Sequence, residues 1–257
     1  MLKSLTRHNI PKEHPRANSL KIRANLSDSF DNGIISQFGL IAHGRGEAFD
    51  YILGETTPKI SLKTIHVATA QLLLSNSVIS VNGNSAALCA KSIVQLANLT
   101  NSKIEINLFH KSKTRANKIS QLLKKHGAKD VYGLNTKYLT KIPGLKSNRK
   151  YIDKRGIFLS DVIFVPLEDG DRTEFLKKMN KTVITVDLNP LSRTSAMSDI
   201  TIVDNLVRVL PEMIKQSRNM SNLSESDLQK IIKKFNNKKQ LNLILKYMSK
   251  RLIDLST

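Results

Sequence analysis

Three short β-branched runs constrain the fold of this chain more than any other feature. They occupy residues 162–165, 183–186 and 200–203, and each stops directly at polar residues. Because the runs are continuous rather than alternating, they predict strands buried on both faces, as in a parallel sheet covered by helices. Ligands of such sheets bind outside the carboxyl ends of the strands. The segment 162–205 is therefore predicted to form one side of an active site.

Strand and helix patterns alternate along the rest of the chain. Further strands are predicted at 78–81, 103–109 and 131–134, with amphipathic helices between them. The pattern predicts an α/β, Rossmann-like, mostly parallel sheet with helices on both faces. We expect a single domain, 1–257, made of an N-terminal arm and helix (1–33), an α/β core (34–205) and C-terminal helices (206–257).

Local signals predict several element boundaries. Thr57 is a predicted N-cap with Pro58 at the first helical position. Pro211 is expected to interrupt or kink the helix that begins near Leu206. Residues 135–156 are rich in Lys, Asn, Gly and Pro, and we predict a long loop without secondary structure there.

The cysteine count and the hydropathy indicate the compartment in which the protein is expected. The single Cys89 excludes an internal disulfide, and its apolar helical surroundings predict a small buried side chain rather than a nucleophile. No apolar run approaches the roughly 18 residues that a membrane span needs, and the N-terminus lacks the apolar core of a signal peptide. We expect a cytoplasmic protein that does not act at a membrane.

The formal net charge of +20 raises the question of nucleic-acid binding. Most lysine pairs, however, lie in or beside amphipathic helical stretches, where charge is typical of a solvated face. Aromatic residues make up only 5% of the chain, and no nucleic-acid-binding motif is found. We therefore expect no nucleic-acid partner, although a basic surface would attract polyanionic small substrates.

Two glycines flank Arg45 in the stretch His43–Glu47. Glycines there would let the backbone turn tightly and approach a ligand, and the helix amides after them would then face an anion. A tight loop without a ligand explains the same residues, because the spacing matches no phosphate-binding fingerprint. The pattern leaves both interpretations open.

The segment Asn82–Asn84 closes a predicted strand and opens a predicted helix. This strand–turn–helix unit is typical of mononucleotide-binding folds. It lacks the glycine fingerprint of dinucleotide sites, so a dinucleotide is not indicated.

Acidic residues cluster after the first of the three runs, at Glu168, Asp169 and Asp171. Carboxylates so placed would suit Mg²⁺ bound with nucleotide phosphates. A turn followed by an N-cap explains the cluster equally well. Four arginines could bind phosphate or carboxylate groups through their forked guanidinium donors: Arg23, Arg45, Arg172 and Arg193. His14 and His43 are candidates for hydrogen-bond donors or general bases. No nucleophile–base set and no zinc spacing is present, so the chemistry points to charge stabilisation and positioning.

Six blocks of sequence together resemble one known family. They are IPKEHPRANSL (10–20), GLIAHGRGEAFDYILGE (39–55), VISVNGNSAAL (78–88), KIEINLF (103–109), VPLEDGDRTE (165–174) and DLNPLSRTSAMSDITIVDN (187–205). In order and without a large gap, the chain resembles the archaeal 4-phosphopantoate–β-alanine ligase, or phosphopantothenate synthetase, family. The resemblance implies ATP-dependent condensation of phosphopantoate with β-alanine, release of AMP and diphosphate, Mg²⁺, a homodimer and a role in coenzyme A biosynthesis.

The resemblance also implies residue roles. ATP contacts of the family fall on Arg23, Arg45, Asp187, Leu188, Asn189, Arg193, Thr194, Asn205 and Leu206. Within this set, Arg45 and Arg193 are expected to stabilise charge that develops on the triphosphate. Beyond what the resemblance implies, we assign the phosphate of phosphopantoate to His14, Arg16, Asn82 and Asn84, the last two because helix-opening amides favour an anion. Metal or β-alanine positioning is assigned in the same way to Asp169, Asp171 and Arg172.

Two other classes of function stay open at this stage. A different nucleotide-dependent α/β enzyme, such as a kinase or an oxidoreductase, would release ADP or phosphate, or change the absorbance of a nicotinamide. A basic nucleic-acid-binding protein would bind DNA or RNA with a steep salt dependence and would not turn over ATP.

Overall fold

A five-stranded parallel sheet forms the centre of the fold. The computed structural model describes residues 10–256 with the exception of 12, 15, 111, 168 and 169. The strands of the described chain are β1 (Ser77–Val81), β2 (Lys103–Ile106), β3 (Leu139–Lys141), β4 (Tyr151–Asp153), β5 (Val162–Pro166), β6 (Thr182–Val186) and β7 (Ile200–Ile202). The strand order in the parallel sheet is β2-β1-β5-β6-β7. The predicted α/β, mostly parallel fold is confirmed, and the three opening runs are three adjacent strands.

The helices of the described chain alternate with these strands and extend beyond them at both ends. They are α1 (Ala17–Asp31), α2 (Gln37–Leu53), α3 (Lys59–Leu74), α4 (Gly83–Thr100), α5 (Lys113–Lys125), α6 (Gly170–Lys178), α7 (Arg193–Met197), α8 (Leu206–Asn219), α9 (Glu225–Lys233) and α10 (Asn237–Asp254). None of them is long and apolar enough to cross a membrane.

The two faces of the sheet are covered differently, as β5 illustrates. Val162 and Phe164 pack into the larger core cluster, to which α3, α4, α5 and α8 contribute. Ile163 and Val165 pack into a smaller cluster with α6 and the segment that contains β3 and β4. Successive strand residues point to opposite faces, so the continuous apolar run reflects a sheet with both faces buried.

The predicted strand at 131–134 is wrong. Within this segment Tyr132 pairs with the sheet, through an isolated parallel bridge to Glu105. The chain turns at Gly133, whose φ is +89°, and a Cβ there would lie 2.4 Å from the carbonyl oxygen of Ile106. A left-handed glycine this close to β2 ends the pairing after one residue.

The predicted structureless loop at 135–156 is also wrong, because β3 and β4 form an antiparallel pair within it. The buried Glu105 of β2 holds this insert. Its carboxylate oxygens accept hydrogen bonds from the backbone N–H of Asp153, at 3.0 Å, and of Ile157, at 2.7 Å. Burial raises the pKa of Glu105 to about 7, against the opposing effect of those two hydrogen bonds.

The predicted turn around Arg45 is wrong as well, because α2 runs through Gly44 and Gly46 without a break. The anion-binding helix start expected there does not exist, since α2 begins eight residues earlier, at Gln37. Gly44 faces open space, and a Cβ on Gly46 would lie 3.7 Å from Leu188. These glycines therefore lie inside a helix whose packing, rather than its propensity, maintains it.

Of the predictions about single residues, two are wrong in part and one is confirmed. Pro58 is the N-cap of α3, one position later than predicted, and the hydroxyl of Thr57 donates to Asp204 instead. The helix α8 continues through Pro211 without the predicted interruption. Cys89 is buried as predicted, and burial raises the pKa of its thiol to about 12.

Candidate active site

Helix α2 crosses the carboxyl ends of all five parallel strands. In its first turn Phe38 stacks on His110, which follows β2, with ring centroids 4.8 Å apart. Near its other end Asp50 accepts a hydrogen bond of 2.8 Å from Asn205, which follows β7. The helix rises about 18 Å between Phe38 and Asp50, close to the roughly 19 Å that four strand spacings cover. The helix and the sheet edge are therefore matched in length.

Close contact between α2 and α4 fixes the middle of this arrangement. Nδ2 of Asn84 donates a hydrogen bond of 2.8 Å to the carbonyl oxygen of Gly39. A Cβ at Gly39 would lie 2.3 Å from the side-chain oxygen of Asn84 and 2.6 Å from the side chain of Ile35. Only glycine permits this approach of α2 to the start of α4.

A cleft of about 800 Å³ lies between α2 and the strand ends, within the usual size range of small-molecule sites. Most of the residues expected to contact ATP line it: Arg45, Asp187, Leu188, Asn189, Thr194, Asn205 and Leu206. Asn82 and Asn84, expected at the phosphopantoate phosphate, also line it. Residues separated by more than 150 positions in the sequence thus meet at one edge of the sheet.

Asp187 follows β6 and organises the loop that leads to α7. Its carboxylate accepts hydrogen bonds from the backbone N–H of Asn189, at 2.9 Å, and from the hydroxyl of Ser192, which is the N-cap of α7. Burial raises the pKa of Asp187, while those bonds and the nearby charge of Arg45 act against the shift. The loop is therefore held in place before any ligand binds.

Asn205 caps α8, and a buried ionic network holds it. Its side-chain oxygen accepts from the N–H of Val207 at 3.2 Å, while its amide donates to Asp50. Arg208 forms ion pairs with Asp50 and with the fully buried Asp204. Burial raises the pKa of Asp204, against the opposing charge of Arg208. The network joins α2, β7 and α8 at one end of the cleft.

Asn82 serves mainly to build the start of α4. Its side-chain oxygen accepts from the N–H of Ser85 at 2.9 Å, and its amide donates to the carbonyl oxygen of Leu167 at 2.8 Å. The start of α4 therefore lies at the cleft, where Gly83 and Asn82 both line it. Helix amides in this position favour an anion.

Other expected site residues do not line the cleft. Arg23 makes a two-bond pair with Glu47, at 3.0 and 3.1 Å, which raises the pKa of Arg23, and donates to the hydroxyl of Tyr51 at 2.7 Å. Arg16 also donates to Tyr51, and His14 accepts from the backbone N–H of Arg16 at 3.0 Å. These residues gather around the buried Glu47 of α2, outside the cleft.

The acidic loop after β5 separates into exposed and buried parts. Arg193 pairs with Asp171 and Glu174 in an exposed cluster beside the cleft. Arg172 is 1% exposed and donates to the hydroxyl of Ser80, at 3.1 Å, inside the fold. Glu168 and Asp169, the other two acidic residues of the predicted cluster, lie outside the described residues.

Several cleft residues were missed by the sequence analysis, above all Arg115 and Arg149. Arg149 belongs to the stretch that was predicted to be structureless, and Arg115 is one of many basic residues on a helix surface. His43, a candidate base, does line the cleft, and burial lowers its pKa. No local signal in the sequence separates the two arginines from their solvated neighbours.

No group of three or more His, Cys, Asp or Glu side chains in the described part of the chain is placed to hold a metal ion. Among the described lining residues, Asp187 alone carries a carboxylate. Mg²⁺ commonly takes one or two carboxylates together with phosphate oxygens and water. The site therefore fits a magnesium ion that is held chiefly by a nucleotide.

Comparison with known proteins identifies relatives along nearly the whole chain. The sequence model of the family described as phosphopantothenate/pantothenate synthetase matches residues 60–251. A 4-phosphopantoate–beta-alanine ligase of Thermococcus onnurineus (strain NA1) is 47% identical, over 96% of this chain and 95% of the relative. Proteins with the same name from Thermococcus kodakarensis and Methanosarcina mazei are each also 47% identical, over 96% and 91% of this chain and 95% and 91% of their own.

Proposed function

The chain belongs to the phosphopantothenate/pantothenate synthetase family, and from this premise we propose that it joins 4-phosphopantoate to β-alanine. It is an acid–amino acid ligase that uses ATP and forms 4′-phosphopantothenate, AMP and diphosphate in coenzyme A biosynthesis. The observation that carries this proposal is the cleft at the strand ends, which brings together most of the ATP residues implied by the resemblance.

We assign the nucleotide to the β6 and β7 end of the cleft. Asp187 and Asn189 are fixed by their own loop, and Asn205 is fixed by Asp50, so their positions do not depend on the ligand. Leu188 and Leu206 offer apolar surface beside these polar groups, and Thr194 lies in the first turn of α7. Such preorganised contacts bind a nucleotide without the loss of entropy that ordering a loop requires.

In the proposed reaction the carboxylate of phosphopantoate attacks the α-phosphorus of ATP, and diphosphate leaves. The acyl-adenylate is then opened by the amine of β-alanine, which forms the amide and releases AMP. Arg45 extends from α2 beside Asp187 and is proposed to stabilise negative charge that develops on the phosphates. Arg193 would serve the same purpose after exchanging Asp171 and Glu174 for phosphate oxygens.

We propose that Mg²⁺ would bind together with ATP, and Asp187 is the carboxylate among the described lining residues that could help to hold it. The ion would neutralise charge on the phosphate oxygens. The family role of Arg23 at ATP, and the role that we assign to His14 and Arg16 at the phosphate of phosphopantoate, require these side chains to act from beside Glu47, outside the cleft. Asp169, Asp171 and Arg172 remain proposals for metal or β-alanine positioning.

We further propose that residues 1–257 act as one domain, as a homodimer in the cytoplasm. The packing of α10 against both α2 and α3 supports a single unit. Phe38 and Ile41, which are 64% and 58% exposed on α2, offer apolar surface to a second copy. The single, buried Cys89 is compatible with a reducing compartment. Light scattering at several protein concentrations would test the dimer.

The decisive experiment measures AMP after incubation with ATP, Mg²⁺, phosphopantoate and β-alanine. We expect continuous AMP formation that depends on all four. AMP no greater than in the control without β-alanine would contradict the proposal. ADP or inorganic phosphate as the product would favour a kinase-type or acyl-phosphate reaction instead.

The adenylate intermediate has its own test, in which the carboxylate of phosphopantoate carries ¹⁸O. Attack on the α-phosphorus leaves one labelled oxygen on the phosphate of AMP. Label in inorganic phosphate would instead mean that the γ-phosphorus was attacked.

A further inference from the structure

The positive charge of the chain is concentrated in one segment of the fold. Residues 107–155 contain 14 of the 41 lysines and arginines but only two carboxylates, so 49 of the 257 residues carry a net charge of +12 out of +20. Helix α5 and the insert that contains β3 and β4 both belong to this segment. Both follow β2, which is an edge strand of the sheet. The basic residues are therefore not spread evenly over all the helix faces of the protein.

This basic segment also forms one wall of the cleft. Five of its residues line the cleft: Leu108, Phe109, His110, Arg115 and Arg149. The side-chain amide of Asn107 donates to the carbonyl oxygen of Tyr151 at 2.9 Å, which holds the start of β4 against the end of β2. The nucleotide residues that follow β6 are three strands away in the sheet, or roughly 14 Å. The concentrated charge thus lies at the β2 end of the cleft.

Three lysines of the insert lie close to this wall. Lys150 directly follows Arg149, and Lys146 precedes Arg149 by three residues, which is at most about 11 Å along the chain. Lys141 is opposite Tyr151 in the pairing of β3 with β4. The ammonium groups of Lys141 and Lys150 lie 6.0 and 5.5 Å from the ring centroid of Tyr151, within the range of cation–π attraction. Lys141 and Lys146 are exposed and Lys150 is half-buried, so their charges reach solvent beside the cleft.

The two carboxylates of the segment do little to offset these charges. Asp153 is fully buried and pairs with Arg155 at 2.9 Å. Asp130 is exposed, but it lies beyond the far end of α5, whose first turn is the part that reaches the cleft. Asp187, the lining carboxylate in the described chain, lies at the nucleotide end. The β2 wall therefore presents positive charge to the solvent at the cleft mouth.

Positive charge in this position acts on an anion before the anion makes any contact. Phosphopantoate has a carboxylate and a phosphate, and its total charge is about −3 at neutral pH. The Debye length is about 10 Å at 0.1 M salt, so charges near the cleft mouth attract the ligand while more distant ones are screened. A cleft bordered by charge of one sign raises the local concentration of ligands of the opposite sign.

We propose that Lys141, Lys146 and Lys150 form an electrostatic guide, which draws the anionic acid substrate into the cleft from the β2 side. The inference rests on the proposed function. The lysines raise the frequency of productive encounters and do not touch the reacting atoms. They therefore contribute to kcat/KM for the acid and not to kcat. Arg45 differs from them, because it is assigned to charge that develops during the reaction.

Steady-state AMP formation at several salt concentrations tests the guide. The insert variant is Lys141→Gln/Lys146→Gln/Lys150→Gln. The control variant is Lys233→Gln/Lys234→Gln/Lys238→Gln, which removes three exposed lysines at the end of α9 and the start of α10. This control site is remote from the cleft, because the neighbouring Asn237 donates to the carbonyl oxygen of Ser198 at the amino end of β7. Both variants lower the net charge by the same amount, and thermal melting shows whether each is folded.

At 0.1 M salt we expect the insert variant to lose about tenfold in kcat/KM for phosphopantoate, with kcat unchanged. This is the effect of three charges acting through water over about 10 Å with Debye screening. The loss should shrink as salt is added and disappear towards 1 M, where the Debye length is about 3 Å. The KM for ATP should change less, because the nucleotide end is farther from the insert. The control variant should resemble the wild type at every salt concentration.

Several results would overturn the guide. A loss that persists at high salt, or a fall in kcat, would mean that the lysines act through structure or direct contact. An equal loss in the control variant would mean that only the net charge of the protein matters. An equal loss for ATP would mean that the insert does not serve the acid in particular.

Isothermal titration with phosphopantoate separates this inference from the proposed function, since it requires no turnover. A protein whose binding of phosphopantoate weakens with salt, and less so in the insert variant, retains the guide even if it forms no AMP; the ligase assignment is then lost. A protein that forms AMP with the same kcat/KM in all three forms retains the ligase assignment and loses the guide. No binding of phosphopantoate by the wild type would overturn both.

Discussion

Asp50 on α2 accepts a hydrogen bond of 2.8 Å from the side-chain amide of Asn205, 155 residues further along the chain. The same carboxylate pairs with Arg208, whose second partner is the fully buried Asp204. Together they set the distance between the helix that covers the cleft and the helix start that lies below it.

Replacing Asp50 with alanine should therefore destabilise the protein and weaken nucleotide binding. The variant leaves Arg208 and Asn205 without their shared acceptor, and loss of one partner of a buried ion pair typically costs about 3–5 kcal/mol. Urea unfolding measures the free energy of unfolding, and ATP titration measures the affinity. Lys230→Ala, which breaks an exposed pair with Asp227, should change stability by less than about 1 kcal/mol. A similarly small effect of Asp50→Ala would contradict the role of the network.

Two glycines on α2 should respond oppositely to alanine. Gly39→Ala places a Cβ against Asn84 and Ile35, so α2 must shift or lose its hydrogen bond from Asn84. We expect a loss of about 1–3 kcal/mol in stability, as for other overpacked sites, together with lower activity. Gly44→Ala meets open space inside the same helix and should stabilise it by roughly 0.5–1 kcal/mol. Thermal melting and AMP formation compare the two, and equal behaviour would exclude close packing as the cause.

Glu105 should make stability depend on pH. Its folded-state pKa, about 7, lies above its ordinary value of 4.5, so the folded state retains the proton more strongly than the unfolded state. This contribution to stability is complete below pH 4.5 and disappears as the pH rises through about 7. Glu105→Gln removes the titration. Urea unfolding between pH 5 and 8 should therefore show a smaller decline in the variant than in the wild type, and parallel curves would refute the assignment.

Arg45→Ala should impair catalysis more than folding. If Arg45 contacts phosphate in the transition state, its removal should lower kcat/KM about 100- to 1000-fold, as for other lost charge-stabilising donors. Its side chain is exposed on α2, so the melting temperature should change little. Arg218→Ala, an exposed arginine on α8 that does not line the cleft, is the control. An unchanged kcat/KM would remove Arg45 from the proposed mechanism.

The strands of the sheet could be predicted because a continuous apolar run is a local property of the sequence. The same reasoning failed at Gly44 and Gly46, where glycines that usually indicate a turn lie inside a helix. Their helix is maintained by distant contacts, such as the hydrogen bond that Asp50 accepts from Asn205. Local propensity is overridden there by tertiary packing, which a single sequence does not display.

Part of the cleft could be predicted, because some of its residues directly follow predicted strands. Asp187 and Asn205 follow strands, so the rule that ligands bind at the strand ends places them correctly. Arg149 reaches the cleft only because Asn107 and Glu105 pin an insert that showed no regular pattern. Arg172 and Arg193 both lie in polar segments that follow a strand, so the sequence does not distinguish them. In the structure Arg172 is buried and donates to Ser80, whereas Arg193 is exposed and pairs with Asp171.

Because α2 spans the whole sheet edge, a tilt of this helix moves both of its ends at once. A helix of this length is stiff, so a tilt of about 10° around its middle would move each end by roughly 1.5 Å. Displacements of about 1 Å are enough to slow a reaction about 100-fold. Disturbance at Phe38, beyond β2, should therefore be transmitted to Asp50 and the nucleotide end. The alignment of the two substrates therefore depends on the position of one rigid helix.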